Sequence, residues 1–381
     1  MSGDKIASKR SSGILGLPDP AFIWEAALSP EIIPDELLLR PDFTALVVAA
    51  GQGTEAIVLA KRMIDLGIPK DRVNNAITLI DKYNGITGYL KNKKKFANVI
   101  TADFLDCDMN TEFDVVIGNP PYNRGILPKE FKSKIARGNA SIAFIEECIK
   151  KTKDNGICSL VLPTNFMTLP SMKAARDFIA SSVEILKIKI YDNTEQQIFP
   201  IDNDNILVLT FQKKSNPNNT QVCVEREHFI TKQSNNVIVD ITKYSFWPMY
   251  LSEIEKSILD KVLAKRSGPL LFSKTNYFIF LAVMGDNNSL NHTKHWSLNH
   301  TRDSVKCGVM FYFNSEKDSE MYHNFSKSTL YNLVLTQIKS TPKNQPEVLS
   351  YIGSFNFIDD DYYSFFGLTQ EEIDYIEKTI K

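Results

Sequence analysis

Seven short, apolar, β-branched runs recur through the first half of the chain, and their spacing leaves little choice of architecture. They are Thr44–Ala49, Ile77–Asp81, Asn98–Thr101, Phe113–Gly118, Ile157–Leu162, Glu184–Ile190 and Asn205–Phe211. The segments between them read as helices, above all Glu55–Leu66 and Ala140–Thr152. In the first, Ile57, Ala60 and Ile64 fall on one stripe at helical spacing, and Gly67 follows as a stop. Strands alternating with helices predict an α/β fold with a doubly wound, mostly parallel sheet. The last two runs are joined by Tyr191–Asp204, which carries no helical pattern. The seventh strand is therefore expected to return antiparallel.

After Phe211 the texture changes. Gln212–Thr220 is a polar, Asn- and Pro-containing break, and the βα rhythm is lost beyond it. Two domains are expected, 1–213 and 221–381, the second of mixed α+β type; 381 residues suffice for both. The aromatics Tyr351, Phe355, Phe357, Tyr362, Tyr363, Phe365 and Phe366 are expected to form its core, and Thr369 to Glu372 has the spacing of a capping box. No apolar run approaches the roughly 20 residues that span a bilayer. Met1–Ser12 is polar and basic with no apolar stretch behind it, so no signal peptide is expected. Five cysteines without a paired CxxC argue against a disulfide frame or zinc ribbon. His292, His295, His300 and Cys307 match no closed zinc pattern, so no metal is expected. The expected setting is the cytoplasm.

The formal charge of −1 gives no global sign of a polyanionic partner, but the distribution does. Between residues 261 and 310 lie Lys261, Lys265, Arg266, Lys274, Lys294, Arg302 and Lys306 against Asp286 and Asp303. A second basic run, Arg124, Lys129, Lys132, Lys134 and Arg137, is opposed by Glu130 alone. Such patches can neutralise phosphates in an otherwise neutral protein. A solvated loop face accounts equally well for either taken alone.

Ligands of doubly wound sheets sit at the carboxyl ends of the strands, where strand order reverses. The first run ends in Ala49-Ala50-Gly51-Gln52-Gly53-Thr54, whose glycines let a ligand approach the backbone. The second ends in Asp81, placed to accept from ribose hydroxyls. The third is followed by Asp103 and Phe104, an acceptor beside an apolar wall. Alone, either acid could be a helix cap. Together they describe an adenosine-shaped site.

The fourth run delivers Asn119-Pro120-Pro121-Tyr122. Two prolines fix the backbone and leave the Pro120 carbonyl as an acceptor; the Asn119 amide oxygen is a second. An exocyclic aromatic amine has two N–H donors and a lone pair delocalised into its ring. Fixed oxygens that accept both protons favour a pyramidal nitrogen, freeing the lone pair to attack a sulfonium methyl. The Tyr122 ring can stack on the base.

Here the chain resembles the N6-adenine DNA methyltransferases of the restriction–modification type, in which the cofactor motif comes first and the target-recognition region last. The resemblance extends over about residues 44–213. It includes the helix-forming stretch Asn139–Glu146, the strand and turn Gly156–Phe166, and Ile198-Phe199-Pro200 running into Asn205–Phe211. It implies a Rossmann-like, seven-stranded, S-adenosylmethionine-dependent methyltransferase domain, followed by a C-terminal mixed α+β target-recognition domain. Asn119, Pro120, Pro121 and Tyr122 would be catalytic, with Phe199 as the second aromatic gripping a flipped adenine. Ala49, Gly51, Gly53, Glu55, Asp81, Asp103, Phe104 and Asn119 would line the cofactor, and residues 1–40 would close over it. Arg124, Lys129, Lys132, Lys134, Arg137, Lys274, Lys294, Arg302 and Lys306 would meet DNA. The implied partners are double-stranded DNA and a cognate restriction endonuclease; the chain is expected to be monomeric, cytoplasmic and free of membrane. One departure stands out. The family places an acid beside the first-strand glycines, where this chain has Val47-Val48-Ala49-Ala50, with Glu55 a turn later.

Cytosine-C5 methylation needs a cysteine nucleophile after the fourth strand, and none is present. A glutamine or RNA amino-methyltransferase would use the same tetrapeptide, and a non-catalytic DNA-binding specificity module could retain the fold.

Overall fold

The computed structural model describes residues 19–122, 127, 133, 135–136, 139–191, 205–227, 234–249, 252–268, 277–282, 295–296, 308–338 and 346–379. All seven expected strands form: β1 (Ala45–Val48), β2 (Ile77–Asp81), β3 (Asn98–Thr101), β4 (Phe113–Gly118), β5 (Thr152–Pro163), β6 (Glu184–Tyr191) and β7 (Ile206–Gln212). They lie in the order β3-β2-β1-β4-β5-β7-β6 within one sheet. The first five are parallel neighbours. β7 runs antiparallel to both β5 and β6, as the lack of a helical pattern in the sequence Tyr191–Asp204 predicts.

The sheet does not stop at residue 213. β8 (Val222–Glu227) pairs parallel with β6, and β9 (Ser234–Val239) follows it in the same sheet. The polar segment 212–220 is thus a turn inside the sheet and not the expected border. Asn219 explains why a polar stretch can sit there. Its Oδ1 accepts from the Ile185 amide at 2.8 Å, and its Nδ2 donates to the Ala180 and Val183 carbonyls. Buried backbone groups are satisfied by one side chain, which removes the penalty for burying them. Glu225 of β8 likewise takes both Lys187 and Lys189 of β6. The chain divides into one compact unit of residues 1–164, 174–234 and 238–242, and another of 165–173, 235–237 and 243–381.

Within the first unit, short helices α1 (Ala21–Ala27) and α2 (Asp35–Leu39) precede β1, and α3 (Thr54–Asp65) follows it. Their buried faces join β1, β2 and β4 in one core: Ile23, Trp24, Leu28 and Leu38 pack with Val47, Leu79, Val115 and Ile117. Arg62 of α3 clamps the N-terminal segment by donating to the Leu28 and Ile33 carbonyls and to the Asp35 carboxylate. The stripe expected on α3 is corrected. Ala56, Leu59 and Met63 are buried, whereas Ile57 and Ile64 are 37% and 40% exposed. Both stripes have helical spacing; Ala56, Leu59 and Met63 are the ones that join the core with Val47 and Leu79. Helices α4 (Lys70–Ala76), α5 (Asn84–Asn92) and α6 (Ala140–Lys151) complete the layer set.

The second unit holds a three-stranded antiparallel sheet, β11 (His295–Trp296), β10 (Tyr277–Ala282) and β12 (Gly308–Phe313), with helices. Its core is aromatic, as expected. The rings of Phe355, Phe357, Tyr362 and Phe366 lie 5.1–5.5 Å from that of Phe325. The capping box is real: the Thr369 amide donates to Glu372 at 2.7 Å, and the Glu372 amide to the Thr369 hydroxyl at 3.3 Å. Among the described residues no helix is long and apolar enough to cross a membrane.

Candidate active site

Strand order reverses between β1 and β4, where Val48 pairs with Gly118. A Cβ on Gly118 would lie 2.4 Å from the Val48 carbonyl oxygen, so only glycine lets the two strand ends close up. The next residue on β4 is Asn119, which brings the tetrapeptide beside the turn that leaves β1. That turn places Ala49, Gly51 and Gly53 in the left-handed region, with φ of 51°, 48° and 76°. Ala49 is the strained member, since left-handed backbone costs a residue with a Cβ about 1–2 kcal/mol. Such strain concentrates at ligand clamps.

Asp81, at the end of β2, holds this turn in place. Its Oδ2 accepts from the Gly51 amide at 3.1 Å and its Oδ1 from the Tyr83 amide at 3.0 Å. Burial pushes its carboxyl above the ordinary range, against the pull of those two amides. Each carboxylate oxygen has a further lone pair, so ribose hydroxyls can still be accepted there. Asp103 caps the single 3-10 turn Phe104–Asp106, accepting from the Leu105 amide at 3.1 Å. The Phe104 ring is buried against Phe144 of α6, with centroids 5.3 Å apart. Asn139 caps α6 by accepting from the amides of Ser141 and Ile142.

Glu55 sits in the first turn of α3 and is 3% exposed. Burial pushes its carboxyl well up, and the negative charges of Asp19 and Asp81 push it further. Asp19 lies two residues before α1, in the segment 1–40 that the resemblance places over the cofactor, and is not among the expected site residues. Both its carboxylate oxygens accept from Asn119 Nδ2, each at 3.1 Å. On its other side Asn119 Oδ1 accepts from the Tyr122 hydroxyl at 2.5 Å. The structure therefore gathers Ala49, Gly51, Gly53, Glu55, Asp81 and Asn119–Tyr122 around one strand-end crevice and adds Asp19.

Phe199 and the basic residues Arg124, Lys129, Lys132, Lys134, Arg137, Lys274, Lys294, Arg302 and Lys306 lie outside the described residues. The C-terminal basic cluster is smaller than its composition suggests. Lys261 is taken by Glu372 at 2.7 Å, Lys265 lies over the Phe365 ring, and Arg266 donates to the Ser350 carbonyl. Those three serve their own unit.

The strand order with its antiparallel β7, the glycine turn and the acids at successive strand ends are those of a Rossmann-like fold of the S-adenosylmethionine-dependent methyltransferase class. The donor set is compatible with S-adenosylmethionine: Asp81 would accept from its ribose hydroxyls, and the acidic Glu55 would face its cationic methionine end. Within the class, residues 54–199 match the family model of the Eco57I restriction-modification methylases. The chain is 26% identical over 122 residues to the type II methyltransferase M.CvrRI of Paramecium bursaria Chlorella virus XZ-6E, covering 31% of each chain. It is 25% identical over 134 residues to the type II methyltransferase M.TthHB8I of Thermus thermophilus, covering 31% of this chain and 30% of that one. The matched stretch thus spans about a third of the length of these curated relatives. Among solved structures it is similar in fold to a nuclease-deletion mutant of the type ISP restriction-modification enzyme LlaGI in complex with a DNA substrate mimic. That likeness has a TM-score of 0.50 at 12% identity, over 70% of this chain and 34% of that chain. The resemblance to restriction–modification methyltransferases is therefore shown over residues 54–199.

Proposed function

We propose that this protein methylates the exocyclic N6 of adenine in duplex DNA, with S-adenosylmethionine as methyl donor. The observation that carries the reading is the placement of Asn119 Oδ1. It stands at the end of β4 beside the glycine turn and already accepts a hydrogen bond, from Tyr122. In the productive complex the amine of the adenine replaces that donor, and the Pro120 carbonyl accepts its second proton. When bound, S-adenosylmethionine would supply an electrophilic methyl on sulfur, and Asn119 Oδ1 and the Pro120 carbonyl would hold the two amine protons so that the nitrogen lone pair is free to take it. Charge that develops on nitrogen is stabilised by the two fixed oxygens, without metal or cysteine.

Adenine must leave the helix to reach this crevice. Flipping costs a few kcal/mol, which stacking on Tyr122 and Phe199 and the two amine hydrogen bonds offset. Residues of the second unit, with Lys274, Lys294, Arg302 and Lys306, read the target site, and Arg124, Lys129, Lys132, Lys134 and Arg137 contact phosphates. The names of the matched relatives, type II methyltransferases, support DNA as substrate over glutamine or RNA. A cognate restriction endonuclease is the expected partner.

The deciding experiment is to sequence DNA for modified adenine from a host carrying this gene, against the same host with Asn119→Ala. Modified adenine at a defined site that disappears in the variant is the expected result. Its absence from the wild-type host, with the protein expressed and S-adenosylmethionine bound, would remove the reading.

A further inference from the structure

Asp19 has no part in the reaction as set out above, yet its carboxylate touches the residue on which that reaction turns. An asparagine amide has a donor end and an acceptor end of almost the same shape. Only one of its two orientations serves the transfer of a methyl group to an amine. With Oδ1 toward the substrate it accepts an amine proton; flipped, it sets N–H against N–H and withdraws the acceptor.

A carboxylate can only accept. Facing Asn119 with both oxygens at 3.1 Å, Asp19 binds the nitrogen end and leaves Oδ1 on the other side, where Tyr122 donates to it. We propose that Asp19 is a positioning residue that fixes the orientation of the Asn119 amide, so that its oxygen faces the amine to be methylated. The inference rests on the amino-methylation reading above. Asp19 is well placed for the task because α1 behind it is rigidly seated. Ile23 and Trp24 are fully buried in the core, and Arg62 clamps the segment further along. A negative charge on the nitrogen side also polarises the amide and strengthens Oδ1 as an acceptor. Glu55, the other acid nearby, shares no hydrogen bond with Asn119 among the described residues, so the orienting role falls to Asp19.

The test uses the full chain, an adenine-containing duplex carrying the recognised site, and S-adenosylmethionine. Asp19→Ala is expected to lower the single-turnover rate by roughly 10²-fold, the scale of a misplaced reacting group, with calorimetric affinity for S-adenosylmethionine unchanged. Asn119→Asp alone sets two carboxylates face to face. Combining it with Asp19→Asn restores a donor–acceptor pair and should recover about tenfold over the single variant, as contacting residues couple. A rate unaffected by Asp19→Ala overturns the proposal. So does a parallel loss of cofactor affinity, which would make Asp19 a cofactor ligand, or failure of the exchanged pair to recover.

One arm needs no turnover. In protein labelled with 15N-asparagine, the Asn119 side-chain amide signal is identified by its loss in Asn119→Ala. It should shift and exchange faster with solvent in Asp19→Ala. An unmoved signal defeats the positioning role. A moved signal with no methyl transfer by the wild type defeats the proposed function alone.

Discussion

The Tyr122 hydroxyl donates to Asn119 Oδ1 at 2.5 Å, so the oxygen proposed to accept the target amine is already occupied by the aromatic residue three positions on. The target amine must displace that hydroxyl. Tyr122→Phe keeps the ring and vacates the oxygen, removing a hydrogen bond worth about 0.5–1.5 kcal/mol. The variant is expected to show a lower KM for duplex DNA with kcat retained. Tyr122→Ala loses the ring as well and should cost about 1–3 kcal/mol in kcat/KM. Steady-state methylation kinetics separate the two. If the phenylalanine variant is as damaged as the alanine one, the hydroxyl acts in the chemistry itself.

Glu55 makes stability depend on pH in a definite direction. Its carboxyl lies well above the ordinary 4.5 in the folded state, through burial first and the charges of Asp19 and Asp81 after it. The native state therefore holds a proton that the unfolded chain has released, and stability falls as pH rises from about 4.5 toward the raised value. Glu55→Gln should flatten that slope and raise the urea midpoint at neutral pH. Urea titrations at several pH values would show it; a midpoint that rises with pH over this window in the wild type alone would contradict it.

A bound cation has the opposite preference. The ammonium and sulfonium of S-adenosylmethionine favour the ionised form of Glu55, so, on the proposed placing of the cofactor, binding should release protons at any pH where free Glu55 still holds one. Calorimetry in two buffers of different ionisation enthalpy measures that release, and it should disappear in Glu55→Gln.

The face that α3 buries can be checked by stability alone. Leu59→Ala removes a fully buried side chain and is expected to cost about 2–5 kcal/mol. Ile64→Ala, on the side 40% exposed, should fall within about 0.5–1 kcal/mol. Equal effects would restore the other stripe.

In the second unit, Glu372 serves the Thr369 amide, the Ser257 hydroxyl and the Lys261 ammonium together. Glu372→Ala leaves Lys261 without its carboxylate and uncaps the last helix, and should cost about 2–4 kcal/mol. Thr369→Ala, which removes the capping hydroxyl alone, should cost about 1 kcal/mol. Thermal unfolding of both variants tests the ranking.

Much of this protein is legible along the chain because its determinants are local. Short apolar, β-branched runs mark all seven strands, and the lack of a helical sequence pattern after Tyr191 points to the antiparallel β7. The break at 212–220 misled for an equally local reason: polar composition marks a turn, but cannot tell a turn between domains from one knitted into a sheet by Asn219. The α3 stripe failed because two faces of one helix had the same periodicity, and only packing chose between them.

By itself the sequence determined the first seven strands of the sheet, the glycine turn, the acids at its strand ends and the tetrapeptide that can hold an amine. Tertiary structure alone decided what stands behind that tetrapeptide. Asp19 and Asn119 are 100 residues apart, and the bond between them follows from seating α1 in the core and from the bare Cα of Gly118. A contact made across that distance depends on where whole elements pack, which leaves no periodicity for a linear pattern to carry.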